Sequence, residues 1–222
     1  MPNRKNKNKM FVAEIWRYPV KSLAGEQLDV AEIHNDGIVG DRRVLVYNES
    51  KRGLITSRTH PNLLGLKATL GNNGKPQING LPWDDAESVN AIMSAAGLDA
   101  RLIEWDGPER HDVLPLLVAT DGAIKEFGYD RRRLRPNIII GGVVGLAERE
   151  WPGRQMRIGE AVIEFAQLRA RCVMTTYDPD TQKQDHAVLR HIVKKFDGTL
   201  ALDTEVIQGG RISVEDEVEF VD

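Results

Sequence analysis

Cys172 is the only cysteine in this 222-residue chain. A single thiol forms no internal disulfide. By itself it completes no all-thiolate zinc site and holds no iron–sulfur cluster. Its solitude points to a reducing compartment, and a cytoplasmic protein is expected. Long apolar runs are missing too: none approaches the ~18 residues of a membrane helix, so no membrane partner is expected. Neither sign of charge dominates, with 30 Lys and Arg against 33 Asp and Glu for a net charge of −3. That balance gives no bulk attraction to nucleic acid or acidic membranes. No Gly-rich nucleotide loop, Walker sequence or His-Glu-x-x-His is present, and the five histidines lack metal-ligand spacing. The basic start, residues 1–9, has no apolar stretch behind it. It is therefore not a secretory signal, and a disordered tail is expected there.

What remains suffices for a core. Apolar residues make up 41% of the chain, and the length allows one large domain or two small ones. Short apolar runs broken by Gly, Pro and Asn predict mostly strands. Strands are expected at Phe11 to Tyr18, Leu28 to His34, Arg43 to Tyr47, Leu54 to Arg58, Leu64 to Leu70 and Arg101 to Trp105. After a polar turn at Asp106-Gly107-Pro108 further strands are expected at Val113 to Ala119, Asn137 to Ile140, Met156 to Ile158 and Ala161 to Leu168. Others are expected around Cys172, at Glu205 to Gln208 and at Val218 to Val221. Helices are predicted from Asp84 to Ala96, from a Thr120 cap to Phe127, and from His186 to Phe196. The fold class is mainly β with α decorations, a β-barrel-like α+β fold. A β-rich N-terminal domain is expected over residues 10–106 and a second domain over 107–222.

The thiol sits in Arg169-Ala170-Arg171-Cys172, ahead of an Asp178-Pro179-Asp180-Thr181 turn. A neighbouring guanidinium stabilises a thiolate. In an extended strand, however, Arg171 points away from Cys172 and shares a face with Arg169. Help for the sulfur must then come from a bend or from distant groups. Two readings stand side by side: a poised thiol, or a small buried hydrophobe. Cations and polar donors recur at strand rims: Lys21-Ser22, Arg42, Arg58 and Arg135-Pro136-Asn137. They suit phosphate oxygens in one reading and are solvated surface in the other. The run Arg131 to Arg133 reads as solvated face or rim.

Taken in order, Tyr18-Pro19-Val20-Lys21-Ser22, Gly40-Asp41-Arg42, Thr56-Ser57-Arg58, Arg135-Pro136-Asn137-Ile138 and Arg171-Cys172 with Thr175-Thr176-Tyr177-Asp178-Pro179-Asp180-Thr181 resemble the MOSC family. The likeness is closest to the amidoxime-reducing components and their bacterial relatives. It covers nearly the whole chain after the tail, and implies a MOSC-type β-barrel with an associated N-terminal domain. It also implies a molybdenum cofactor of the molybdopterin type, with Cys172 as the metal ligand and catalytic residue. Lys21, Ser22, Arg42, Arg135, Asn137 and Arg171 would hold the pterin and its phosphate, with Asp112 as a further neighbour. Family members usually carry a polar residue before the Arg-Cys pair. Ala170 stands there here, which implies one cofactor hydrogen bond fewer.

The activity implied is oxidoreduction: oxygen transfer from an N-hydroxylated or N-oxide small molecule to a Cys-ligated molybdenum. Electrons would come from a separate ferredoxin-, flavodoxin- or cytochrome-like protein, because one cysteine cannot hold a cluster of its own. The alternative is a non-redox carrier of the cofactor, or of sulfur held as a Cys172 persulfide.

Overall fold

The computed structural model describes residues 9–221. The expected disordered tail lies outside them except for Lys9, which pairs with Glu217 at 2.7 Å.

The hydrophobic pattern closes one barrel. Seven strands form the ring, in the order Ile138–Gly141, Leu116–Thr120, Thr199–Gln208, Ala161–Ala170, Gln155–Ile158, Glu217–Val221 and Met10–Arg17, the last pairing back to the first. The Ile138–Gly141 strand is buried along its whole length, as a run of β-branched residues inside a sheet should be. It runs parallel to Leu116–Thr120. A parallel pair needs a crossover, and helix α2 lies within the connecting chain (Asp121–Phe127; α1 is Ala86–Ala96), capped by the Thr120 side chain and stopped by Gly128 in the left-handed conformation. Gly141 is glycine for space: a Cβ there would stand 2.5 Å from the Phe11 ring. The long pair Ala161–Ala170 and Thr199–Gln208 has three register irregularities, which bend a sheet as barrel closure requires. Val12, Ile15, Val118, Ile138, Phe165 and Leu202 are among the residues filling the interior.

The first strand of the chain is thus a stave of a barrel built mostly from the C-terminal half. Residues 44–104 fold as small antiparallel sheets and α1 around a second core that includes Val20, Val44, Leu63, Ile92 and Ala100, whereas the strands Val30–His34 and Gly37–Ile38 join Gly210–Ser213 and send Ala31, Ile33 and Ile38 into the barrel core. A third cluster joins α2 to α3 (His186–Phe196) through Phe127, Leu134, Val188, Ile192 and Phe196.

Several expectations need correction. The run Leu28 to His34 is broken at Asp29 into two strands. Leu64 belongs to a 3-10 turn, Pro61–Gly65, and only Ala68–Leu70 is strand; Pro61 favours the turn at its start. The strand expected at Glu205 to Gln208 begins well before, at Thr199. Most consequential, no strand contains Cys172. The Ala161–Ala170 strand ends two residues earlier, and Cys172 precedes the 3-10 turn Val173–Thr176.

Candidate functional site

That change of conformation places the thiol. Cys172 is partly exposed and lines a cavity of about 320 Å³ between the barrel and the N-terminal sheets. Lys21, Ser22, Arg42, Asp112, Arg135, Asn137 and Arg171 line the same cavity, so all the residues singled out from the sequence come together. Gln167 to Cys172 all border it, so the chain runs along the cavity there rather than presenting one strand face to it.

Three of these residues have left-handed backbone without being glycine: Ser22 (φ 75°), Arg42 (φ 51°) and Arg135 (φ 56°). Such conformations cost free energy and survive where the surroundings enforce them. The enforcement is visible. Asp41 is fully buried and accepts the Tyr18 N–H at 2.7 Å and the Asn137 Nδ2 at 3.3 Å, and it pairs with Arg42. Asn137 Oδ1 accepts from the Leu117 N–H at 3.2 Å and from Arg42 at 3.4 Å, and Nδ2 also donates to the Trp16 carbonyl at 3.3 Å. The Asn137 amide is therefore fully committed to protein partners. It braces Arg42 and Asp41. Tyr18 lies beneath two guanidinium groups, Arg135 at 4.2 Å and Arg42 at 5.2 Å from its ring centre. Burial raises the Tyr18 pKa to about 12 despite those cations.

Seven basic residues and two carboxylates line the cavity. Asp112 answers three of the cations: Lys21 at 3.2 Å, Arg169 at 3.3 Å and Arg58 at 3.7 Å. Burial alone would raise the Asp112 pKa, but Lys21, Arg42 and Arg58 bring it down to about 2. Lys21 also donates to the carbonyls of Glu109 at 2.9 Å and His111 at 3.2 Å, which pins the loop bearing Asp112. Burial lowers the Lys21 pKa, an effect that Asp112 opposes. Buried Asp203 holds Arg169 at 2.8 Å.

Two cations are left over. Among the described residues, Arg135 has no side-chain hydrogen bond or carboxylate partner, and Arg171 has only the Leu134 carbonyl at 2.8 Å. The Nε atoms of Arg171 and Arg133 are buried without acceptors. Burial pushes the Arg171 pKa down to about 10, Arg169 adds to the shift, and the Cys172 sulfur opposes it. Buried donors without partners are rare. An anion with several oxygens entering here would meet donors already stripped of water, and the residues fit a phosphate-bearing group next to a thiolate.

Of the two readings for Arg131 to Arg133, solvated face or rim, Arg133 takes the second. It lines the cavity, its side chain is 9% exposed, and it bonds Asp178 at 3.0 Å. Asp178 in turn organises the expected Asp178-Pro179-Asp180-Thr181 turn, accepting the N–H groups of Asp180 and Thr181 at 3.1 and 3.0 Å. Sequence reasoning also passed over Asp41, Arg169 and Asp203. Asp41 stood in a quoted motif. Nothing in the sequence marks Asp203, whose partner is 34 positions away.

Comparison with known proteins matches the MOSC domain over residues 119–219 and the MOSC N-terminal beta barrel domain over residues 9–101. Mitochondrial amidoxime-reducing component 1 of Mus musculus is 24% identical over 245 residues, covering 83% of this chain and 71% of that protein. Mitochondrial amidoxime reducing component 2 of Macaca fascicularis is 25% identical over 228 residues, covering 77% and 67%. Among solved structures, the YuaD protein of Bacillus subtilis aligns over 95% of this chain and 94% of its own, at 14% identity and a TM-score of 0.49.

Proposed function

Since the chain belongs to the MOSC domain family, with that family's N-terminal β-barrel domain ahead of the MOSC domain, we propose that it binds a molybdenum cofactor of the molybdopterin type through Cys172 and reduces N-hydroxylated small molecules. The supporting observation is the convergence on one cavity of the only thiol and a set of buried, partly unpartnered guanidinium groups. Among the described residues, no group of three or more His, Cys, Asp or Glu is placed to hold a bare metal ion. A metal at Cys172 would therefore take its other ligands from a cofactor.

When bound, the cofactor supplies the two-electron redox chemistry, and the protein supplies position and charge. Overall, an N–OH group, two electrons and two protons give N–H and water. Cys172 offers a thiolate, the form a metal requires. Arg171 holds the mouth of that thiolate cationic. Lys21, Ser22 and Arg58 come to the cavity from the N-terminal half of the chain and suit the phosphate. Arg42, braced by Asp41 and Asn137, and Arg135, resting on Tyr18, border the space between. Electrons come from a separate ferredoxin-, flavodoxin- or cytochrome-like carrier, because one cysteine cannot ligate an internal cluster through four thiolates.

The test is metal analysis of protein made in a cofactor-competent host, with reduction of an amidoxime by an artificial electron donor. The wild type should carry about one molybdenum per chain, since one thiolate binds one cofactor. Cys172→Ala should lose both metal and turnover. Wild-type values for that variant would refute the assignment. A Cys172 persulfide in a metal-free, inactive wild type would favour sulfur transport instead.

A further inference from the structure

A second cavity, of about 430 Å³, lies behind the first and shares a wall with it formed by Arg133, Arg135 and Met174. Trp16, Tyr177 and the nearly buried Tyr18 give it aromatic surface, Leu64, Met174 and Pro179 give it aliphatic surface, and Lys67 and Arg132 join Arg133 and Arg135 as its cations. The carboxylates on its lining are already neutralised: Glu26 by Arg17 at 2.8 Å, and Asp180 by Arg132 at 2.7 Å. Arg135 is not. It has no acceptor among the described residues, its backbone is left-handed immediately before Pro136, and that setting is disfavoured twice over. The strain carries a desolvated, unpartnered guanidinium to the partition between the two spaces. A hollow of this size with aromatic walls and convergent cations suits a small organic ligand that carries a polar group. Met174, two residues beyond the thiol, is the uncharged part of the partition. Its unbranched thioether is the kind of side chain that adapts to an occupant.

We propose that this second cavity binds the aromatic body of the substrate, so that planar aromatic N-hydroxylated compounds are preferred over aliphatic ones of the same reactive group. This rests on the reductase reading above for the identity of the ligand, although binding can be measured without turnover. The ring would lie among Trp16, Tyr18 and Tyr177, and its polar end would face Arg135 and Arg133.

The test uses the full chain twice. In the cofactor-free protein, tryptophan fluorescence is followed during titration with benzamidoxime and with acetamidoxime. Benzamidoxime should quench saturably, and the signal should vanish in Trp16→Phe. Tyr177→Ala removes an aromatic wall and should weaken binding about tenfold, the upper end of what one aromatic contact contributes. Ala24→Leu fills the cavity from another element and should weaken it comparably, which covers the case in which Tyr177→Ala folds poorly. In the cofactor-loaded enzyme both variants should raise KM for benzamidoxime about tenfold relative to that for acetamidoxime, by the same contact. Equal binding of the two probes, or unchanged benzamidoxime affinity in both variants, overturns the proposal. Specific benzamidoxime binding in a protein that reduces neither compound leaves the cavity assignment standing and removes the reductase reading.

Discussion

Asp112 is the group whose removal should destabilise the empty protein and tighten its hold on an anion. In the ligand-free structure its carboxylate sits among Lys21, Arg169 and Arg58, where an incoming phosphate would seek the same partners. The depression from 3.8 to about 2 corresponds to roughly 2.5 kcal/mol if nothing screens the pairs. The Asp112 side chain is 40% exposed, so solvent reduces this to about 1 kcal/mol. The folded-state pKa lies below the unfolded one. The contribution is therefore fully present above about pH 4 and is lost as pH falls toward 2. Asp112→Asn at neutral pH should lower the thermal midpoint of the cofactor-free protein by about 2–4 °C.

The same change removes the internal competitor for an anion. Lys21 and Arg58 lose their carboxylate, while Arg169 keeps Asp203. Inorganic phosphate should bind the variant about fivefold more tightly, the equivalent of ~1 kcal/mol. The assay is thermal unfolding against phosphate concentration at low ionic strength, where ligand linkage raises the midpoint as occupancy grows. The two curves should converge: Asp112→Asn starts less stable and approaches the wild type as phosphate saturates both. High sodium chloride should bring the curves together by screening. Parallel curves, or a variant as stable as the wild type without phosphate, would show that Asp112 does not occupy the anion's place.

Asp41→Ala should be far more costly, about 3–5 kcal/mol by denaturant unfolding, because it strands the buried Arg42 charge and two donors; a loss below about 1 kcal/mol would mean that water replaces the carboxylate there. His111 should make the fold acid-sensitive. Burial first, then Arg110 and Arg42, lower its pKa from 6.5 to about 4, and neither ring nitrogen has a partner. Its contribution is thus present above pH 6.5 and is lost between pH 6.5 and 4, and His111→Phe should flatten the stability profile in that interval. An unaltered slope would place the acid sensitivity elsewhere.

Much of the fold was readable because its determinants are local. The α2 helix is announced by Thr120 and Gly128, and the helix at His186–Phe196 by its apolar face. The buried Ile138–Gly141 strand is announced by three isoleucines. Where local signals conflict, the reading fails. Leu64 to Leu70 looks apolar enough for a strand, but Pro61 sets a 3-10 turn. The Thr199–Gln208 strand hid because Ala201 and Asp203 are poor strand formers, and their pairing with Ala161–Ala170 decides the matter. Buried ion pairs between distant positions leave no local trace at all. Nothing local pairs Arg169 with Asp203, or Arg133 with Asp178, until the chain has folded.

Cys172 lies just past the end of the Ala161–Ala170 strand, on a stretch of chain that borders the cavity from Gln167 onward. The 3-10 turn that follows is held by the Thr175 N–H and hydroxyl, which both donate to the Cys172 carbonyl, at 3.1 and 2.9 Å. That turn is anchored in its own right: the Asp185 N–H donates to the Thr176 carbonyl at 2.8 Å, and Asp185 caps α3. The position of the sulfur is thus fixed from the C-terminal side by a helix, and that of Arg171 by the Leu134 carbonyl at 2.8 Å. A site built this way holds a sulfur and a guanidinium together before any ligand arrives, and preorganisation of that kind lets an anion bind without first reordering the chain.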